Sequence, residues 1–465
     1  MRIDFDPRRV RPLALVLAAY AVMGVAYQRV VPLFEGPDEG SHLEYVAFLS
    51  LEKRLPEFGA DPEVPGQGMQ PPLTYLLSVP LFRLMIADES GVRRGLHDLN
   101  RVMYGYSKPA PQRKPGLLDL SRPPSVFDHP EFGSLSSLRW PGLVYGCLAV
   151  ALTYLAMMRA AGDENLAAMS AGLLAFNPQF LFVTSYVNND AASATLGAAV
   201  FWLVAVSLAR PEGPQRRSYL LLALLGMASV FTKNNLLVGI AVAFVALVAV
   251  DARPMRRRLV DLGLALSLCL PLVPYLAWNL AHRGDLLGMG AVWQSADHLM
   301  THDDFGGRWS YLLGMYWHWT FDSFWCRFGL LDLVVQPWVT LTFLALTGVG
   351  VTGFVLAGRA KPLLPETRSL RIYLGAATLA TLAAHVWYNV GMPQPQGRHL
   401  FPVAPEIASL LAIGIVRLAP GGRDWSGRTA LILLLGVYAL AAYCLIGEIL
   451  PWYAGDPFWR FEAYR

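Results

Sequence analysis

A few short stretches carry the residues able to do chemistry. In Gly36-Pro37-Asp38-Glu39-Gly40-Ser41-His42, two neighbouring carboxylates precede a histidine, and Asp38 and His42 stand four apart, on one face of a helix. A carboxylate so placed can take the proton of a hydroxyl. The bland explanation is a helix start, since Pro37 suits the first helical position and acids suit the positive end of the dipole. Further along, Asn188-Asn189-Asp190 could cap a helix or bring a second acid, and Thr232-Lys233 sets a lysine inside an apolar run. Gln396-Gly397-Arg398-His399 ends a short loop with an arginine able to fork onto an anion.

These residues must be positioned by helices in lipid. The 465 residues are 54% hydrophobic and only 15% charged. The apolar residues fall in blocks of about twenty, enough helix to cross a hydrocarbon core of about 30 Å. The first runs from about Pro12 to Leu33 and, lacking a small-residue cleavage site, reads as an uncleaved anchor. Others cover 140–158, 165–187, 191–209, 218–236, 237–252, 259–281, 337–357, 370–390, 399–418 and 429–450, for about eleven spans in an all-α polytopic protein.

Arginine clusters alternate along these blocks. Arg8, Arg9 and Arg11, then Arg159, Arg210, Arg216, Arg217, Arg253 with Arg256 to Arg258, Arg359, Arg368, Arg371, Arg417 and Arg423 fall on one side, which basic residues mark as cytoplasmic. The amino terminus is then cytoplasmic, in a plasma (inner) membrane. Residues 71–86, broken by Pro71, Pro72 and Pro80, are expected to lie at the interface; if they spanned, every later cluster would face outward.

The division that results is an anchor (1–33), a first outer loop with interfacial helices (34–139) and a transmembrane core (140–281). A second outer loop (282–336), carboxyl-terminal helices (337–450) and a short outer tail (451–465) follow. Asp38, His42, Asp190, Lys233 and Arg398 all arrive at the outer side, whereas chance helix caps would scatter over both faces. The long second loop adds Trp317, Trp319, Phe324, Trp325, Arg327 and Phe328, an interfacial belt or a sugar pocket.

Several function classes are excluded. The net charge is only +4, with no basic run interleaved with aromatics, so nucleic acid is not a partner. Three of the four cysteines lie in apolar blocks, and no disulfide framework is implied.

The acidic pair after the first span, Gln70-Pro71-Pro72-Leu73, Asn189-Asp190 and Thr232-Lys233 together resemble the GT-C glycosyltransferases, including protein O-mannosyltransferases and the lipid A aminoarabinose transferase. Ser323-Phe324-Trp325-Cys326-Arg327-Phe328-Gly329 and Gln396-Gly397-Arg398-His399-Leu400-Phe401-Pro402 are similar to a bacterial branch of that superfamily.

The resemblance implies a GT-C fold and an inverting hexosyl- or pentosyltransferase. It would move sugar from a polyprenyl-phosphate donor to a lipid or glycan acceptor of the cell envelope, at the outer face. Asp38 would be the base and Glu39 the second member of the catalytic pair. Lys233, Arg398, His399 and Arg327 would hold the donor phosphate, and His42, Asp190, Asn189, Gln70 and Gln396 would support the substrate. Asp38, His42 and Asp190 could instead hold a divalent cation, Mg or Mn, as some relatives do. A transporter or flippase of a lipid-linked sugar is the alternative; it calls for ionisable groups at mid-membrane, broken helices and inverted repeats.

Overall fold

The computed structural model describes residues 7–57, 67–103, 129–288, 301–357, 367–419 and 427–454. It is helical throughout apart from one two-stranded ribbon, in which Arg327 pairs with Val334 and Phe328 with Leu333.

Helix α1 (Pro7–Val30) leads into the first loop, which builds α2 (Glu39–Glu52), α3 (Leu73–Met85) and α4 (Glu89–Met103). A 3-10 turn, Phe132–Arg139, then runs into α5 (Trp140–Ala161). Next come α6 (Glu164–Ala175), α7 (Pro178–Val183), α8 (Asp190–Leu208), α9 (Arg216–Val230), α10 (Leu237–Val250), α11 (Met255–Leu268) and α12 (Leu272–Arg283). The second loop contributes α13 (Tyr316–Trp325), and α14 (Pro337–Ala357), α15 (Thr367–Gly391), α16 (Ala404–Leu418) and α17 (Gly427–Tyr443) complete the bundle. Helices α5, α6, α8 and α16 pack at its centre, with α14 against α16.

The protein is a multi-pass membrane protein. Among the described residues, six helices are long and apolar enough to span, or seven if α11 and α12, bent by 54° at their junction, form one crossing. The sequence-derived count of eleven separate spans is not reproduced. The block at 165–187 shows why. Asn177 accepts hydrogen bonds from the Gln179 and Phe180 N–H groups and Pro178 opens α7, so a new helix starts inside the apolar run. Apolarity alone cannot register that break. Helix α3, with 13 residues, rises about 20 Å, too little to cross.

The first loop has a core of its own. Leu43, Val46, Tyr75, Phe82, Leu96, Leu99 and Leu135 bury one another between α2, α3, α4 and the 3-10 turn. Helix α2 is packed on all sides by protein, buried from Glu39 to Ser50. Its buried Glu44 faces α4, accepting from Asn100 Nδ2 at 2.6 Å and pairing with His97 at 2.7 Å. Burial without those partners would cost several kcal/mol.

Candidate active site

The base loop is held from beneath. Glu39 is fully buried and bound by both arms of Arg139, at 2.7 and 2.6 Å, while accepting the backbone N–H groups of Phe34 (2.8 Å) and Val187 (3.1 Å). Arg139 also donates to the carbonyls of Val31 and Pro32, both at 2.6 Å. One carboxylate thus joins the end of α1, the start of α5 and the turn before α8. With its lone pairs spent, Glu39 has none for a substrate proton, and the catalytic role expected for it gives way to a structural one.

Asp38 is left at the surface of this knot. Its backbone is left-handed, φ 64°, a conformation that aspartate tolerates better than most residues and that occurs often at functional sites. Gly36 lets the loop lie flat on Tyr186, because a Cβ there would fall 2.2 Å from the tyrosine ring. The side chain of Asp38 keeps 33% of its exposure.

Asp190 was open to the reading of a helix cap, but Asn188 takes that role, its Oδ1 accepting from the N–H groups of Asp190 (2.7 Å) and Ala191 (3.1 Å). The Asp190 carboxylate, 1% exposed, is free to receive Lys233 Nζ at 2.5 Å. The lysine is therefore committed to an ion pair and does not snorkel to water.

Arg398 links the acids. Its Nη2 donates to Asp38 Oδ2 at 2.9 Å, its Nη1 to the Tyr186 hydroxyl at 3.2 Å while lying 3.8 Å from Asp190 Oδ2, and its Nε to Gln396 Oε1 at 2.6 Å. Gly397 makes this placement possible: its N–H donates to Ser323 Oγ at 2.7 Å, and a Cβ would lie 2.3 Å from the backbone of Phe324. Asp38, Arg398, Asp190 and Lys233, drawn from four separate segments, form one alternating chain of two negative and two positive charges.

The remaining residues brace this chain. Asn189 Nδ2 donates to Gln70 Oε1 and to the Thr232 carbonyl, both at 3.2 Å, tying the segment before α3 to the lysine turn. His42 stacks on Tyr75 with its Nδ1 2.8 Å from the phenol oxygen. Burial, opposed by the Asp38 charge, brings the imidazole down to about 4, so it is neutral near pH 7. Burial also pushes the Asp38 carboxyl up, but Arg398, with His42 and Lys233, outweighs this and holds it below the ordinary carboxylate value.

His399 packs its ring 5.6 Å from that of His385, and its carbonyl accepts from Asn235. Arg327 is engaged elsewhere: it donates to the Leu331 carbonyl, lies 4.2 Å over Trp319 and sits 3.9 Å from Asp322, with no bond to the Asp38 chain among the described residues. Among the described residues no three His, Cys, Asp or Glu side chains gather round one point, and Asp38 and Asp190 are already paired with cations.

Sequence reasoning gave no role to Tyr186, Arg139 or Tyr75 and weighed the helix cap for Asp190, where Asn188 makes it. Each sits in an apolar or cap-like context; the one available signal was Arg139, a charge at the mouth of a span.

The fold has relatives among solved structures. ArnT from Cupriavidus metallidurans bound to undecaprenyl phosphate superposes with a TM-score of 0.54 over 98% of this chain and 76% of its own, at 16% identity. The same protein in the apo state gives 0.51 over 97% and 75%, at 15% identity. The fold is that of the GT-C glycosyltransferases. Residues 131–278 match the family model described as dolichyl-phosphate-mannose-protein mannosyltransferase, a stretch that carries Asp190 and Lys233 but not Asp38 or Arg398. No curated protein sequence matches the chain.

Proposed function

We propose that this GT-C protein is an inverting glycosyltransferase that moves a sugar from a polyprenyl-phosphate donor to a cell-envelope acceptor at the outer face of the membrane. The observation that carries it is the joining of Asp38, Arg398, Asp190 and Lys233 into one cluster, which sets a carboxylate able to act as base in one chain of contacts with two cations able to bind phosphate. The structural likeness to a protein crystallised with undecaprenyl phosphate supports the donor class. The alternation of arginine clusters supports the outer face.

In the reaction the acceptor hydroxyl gives its proton to Asp38 as its oxygen bonds to the anomeric carbon. The bond from that carbon to the phosphate oxygen breaks on the opposite face, and the electron pair leaves on the phosphate. One displacement inverts the centre. Lys233 and Arg398 stabilise the charge that grows on the leaving phosphate through charge-assisted hydrogen bonds. No step is routed through a metal.

Among the described residues, the 54° break between α11 and α12 and the buried Glu406 within a spanning helix favour the carrier reading, since broken helices and ionisable groups in spans line many transport sites. One assay separates the two. Purified protein is incubated with a panel of polyprenyl-phosphate sugars and an envelope extract: a transferase releases polyprenyl phosphate and forms a new glycoside, whereas a carrier leaves every donor intact.

A further inference from the structure

Arg398 has five N–H groups but only two edges that can fork onto a phosphate, Nε with Nη2 and Nη1 with Nη2. Both include Nη2, and Nη2 is the nitrogen that holds Asp38. The Nε position is already given to Gln396, and Nη1 faces Tyr186 and Asp190. Asp190 is almost wholly buried, while Asp38 is one-third exposed, so an anion approaching from the accessible side meets the Asp38 contact first.

We infer that Asp38 and the donor phosphate compete for the same nitrogen of Arg398, so that docking of the phosphate releases the base. This rests on the glycosyltransferase reading and adds an order of events to it. Before the donor arrives, the Asp38 carboxylate is neutralised by the guanidinium and is a poor proton acceptor. When a phosphate oxygen takes over Nη2, with Lys233 supplying the adjoining positive charge, Asp38 regains its basicity beside the anomeric carbon. The left-handed backbone at Asp38 favours the exchange, because a residue held in a sparsely populated conformation by its contacts moves when one is withdrawn. Donor binding then precedes acceptor deprotonation, and departure of the polyprenyl phosphate resets the pair.

The test is equilibrium binding of sugar-free polyprenyl phosphate to the purified full chain in detergent. Two variants lack the carboxylate yet suit the backbone, Asp38→Asn and Asp38→Gly, the second being free to adopt φ 64° even if the first disturbs folding. Competition predicts that both bind about tenfold more tightly than the wild type, with the gain lost when Arg398→Lys, which cannot fork, is added. Equal or weaker binding by both variants, with wild-type binding intact, overturns the competition and leaves the glycosyltransferase reading standing. Failure of the folded wild type to bind polyprenyl phosphate overturns that reading itself.

Discussion

Arg398 Nη2 lies 2.9 Å from Asp38 Oδ2, an ion pair between residues 360 positions apart in the chain. The same guanidinium touches the hydroxyl of Tyr186, whose ring in turn carries the backbone of Gly36. Tyr186 is thus the contact common to the base loop and the cation. Tyr186→Phe, which keeps the ring, should lower kcat severalfold with little change in melting temperature. Tyr186→Ala, which removes the platform, should cost activity and about 3 to 5 kcal/mol of stability. Turnover with each donor and thermal melting in detergent check both; wild-type turnover by Tyr186→Phe would mean that the hydroxyl contact has no role, and equal effects of the two variants that the ring platform has none.

Glu39 is expected to behave as a structural residue. Glu39→Ala leaves Arg139 buried without its carboxylate, at a cost of about 3 to 5 kcal/mol. The melting temperature should fall sharply, while the double variant Glu39→Gln with Arg139→Met should recover part of the loss. A Glu39→Ala protein that melts like the wild type but cannot transfer sugar would restore the catalytic assignment.

Lys233→Met should weaken use of the donor by about tenfold to a hundredfold, the worth of one strong charge-assisted contact. The loss should appear in donor kcat/KM and not in the acceptor's KM. Because Lys233 and Arg398 supply the positive charge, a chelator should leave turnover unchanged; restoration of a lost rate by Mg or Mn would assign the phosphate to a metal.

The pH profile follows from Asp38 and His42. With Arg398 holding the Asp38 carboxyl below its usual value, the acid limb of kcat/KM, which reports the free enzyme, should lie under the ordinary carboxylate range. The limb of kcat should lie higher if the donor phosphate withdraws Arg398. For stability the group to follow is His42, at about 4 in the folded chain against 6.5 when unfolded. Between those values the unfolded state binds the extra proton, so stability falls as pH drops from about 6.5 towards about 4 and is constant above. His42→Gln should flatten the part of the melting curve that depends on this window.

Much of this was legible in the sequence. The helical membrane class follows from apolar block length, and the grouping of Asp38, Asp190, Lys233 and Arg398 at one side follows from charge alternation, because both depend on properties summed over many residues. What escaped depends on single side chains finding distant partners. Nothing local distinguishes Glu39, which is spent on Arg139, from Asp38, which is not, since the difference lies in a residue 100 positions away. Helix α2 has an amphipathic start, yet α3 and α4 cover its other face. The split at Asn177-Pro178 has a cap signature, but one embedded in unbroken apolarity.

The most direct test is sugar release from a labelled polyprenyl-phosphate donor by the wild type and Asp38→Asn, compared at equal amounts of folded protein in the presence of acceptor. The account predicts transfer by the wild type and a loss of about a hundredfold to ten-thousandfold in the variant, with the melting temperature retained and the donor bound at least as tightly as by the wild type. Transfer at the wild-type rate by Asp38→Asn would contradict it.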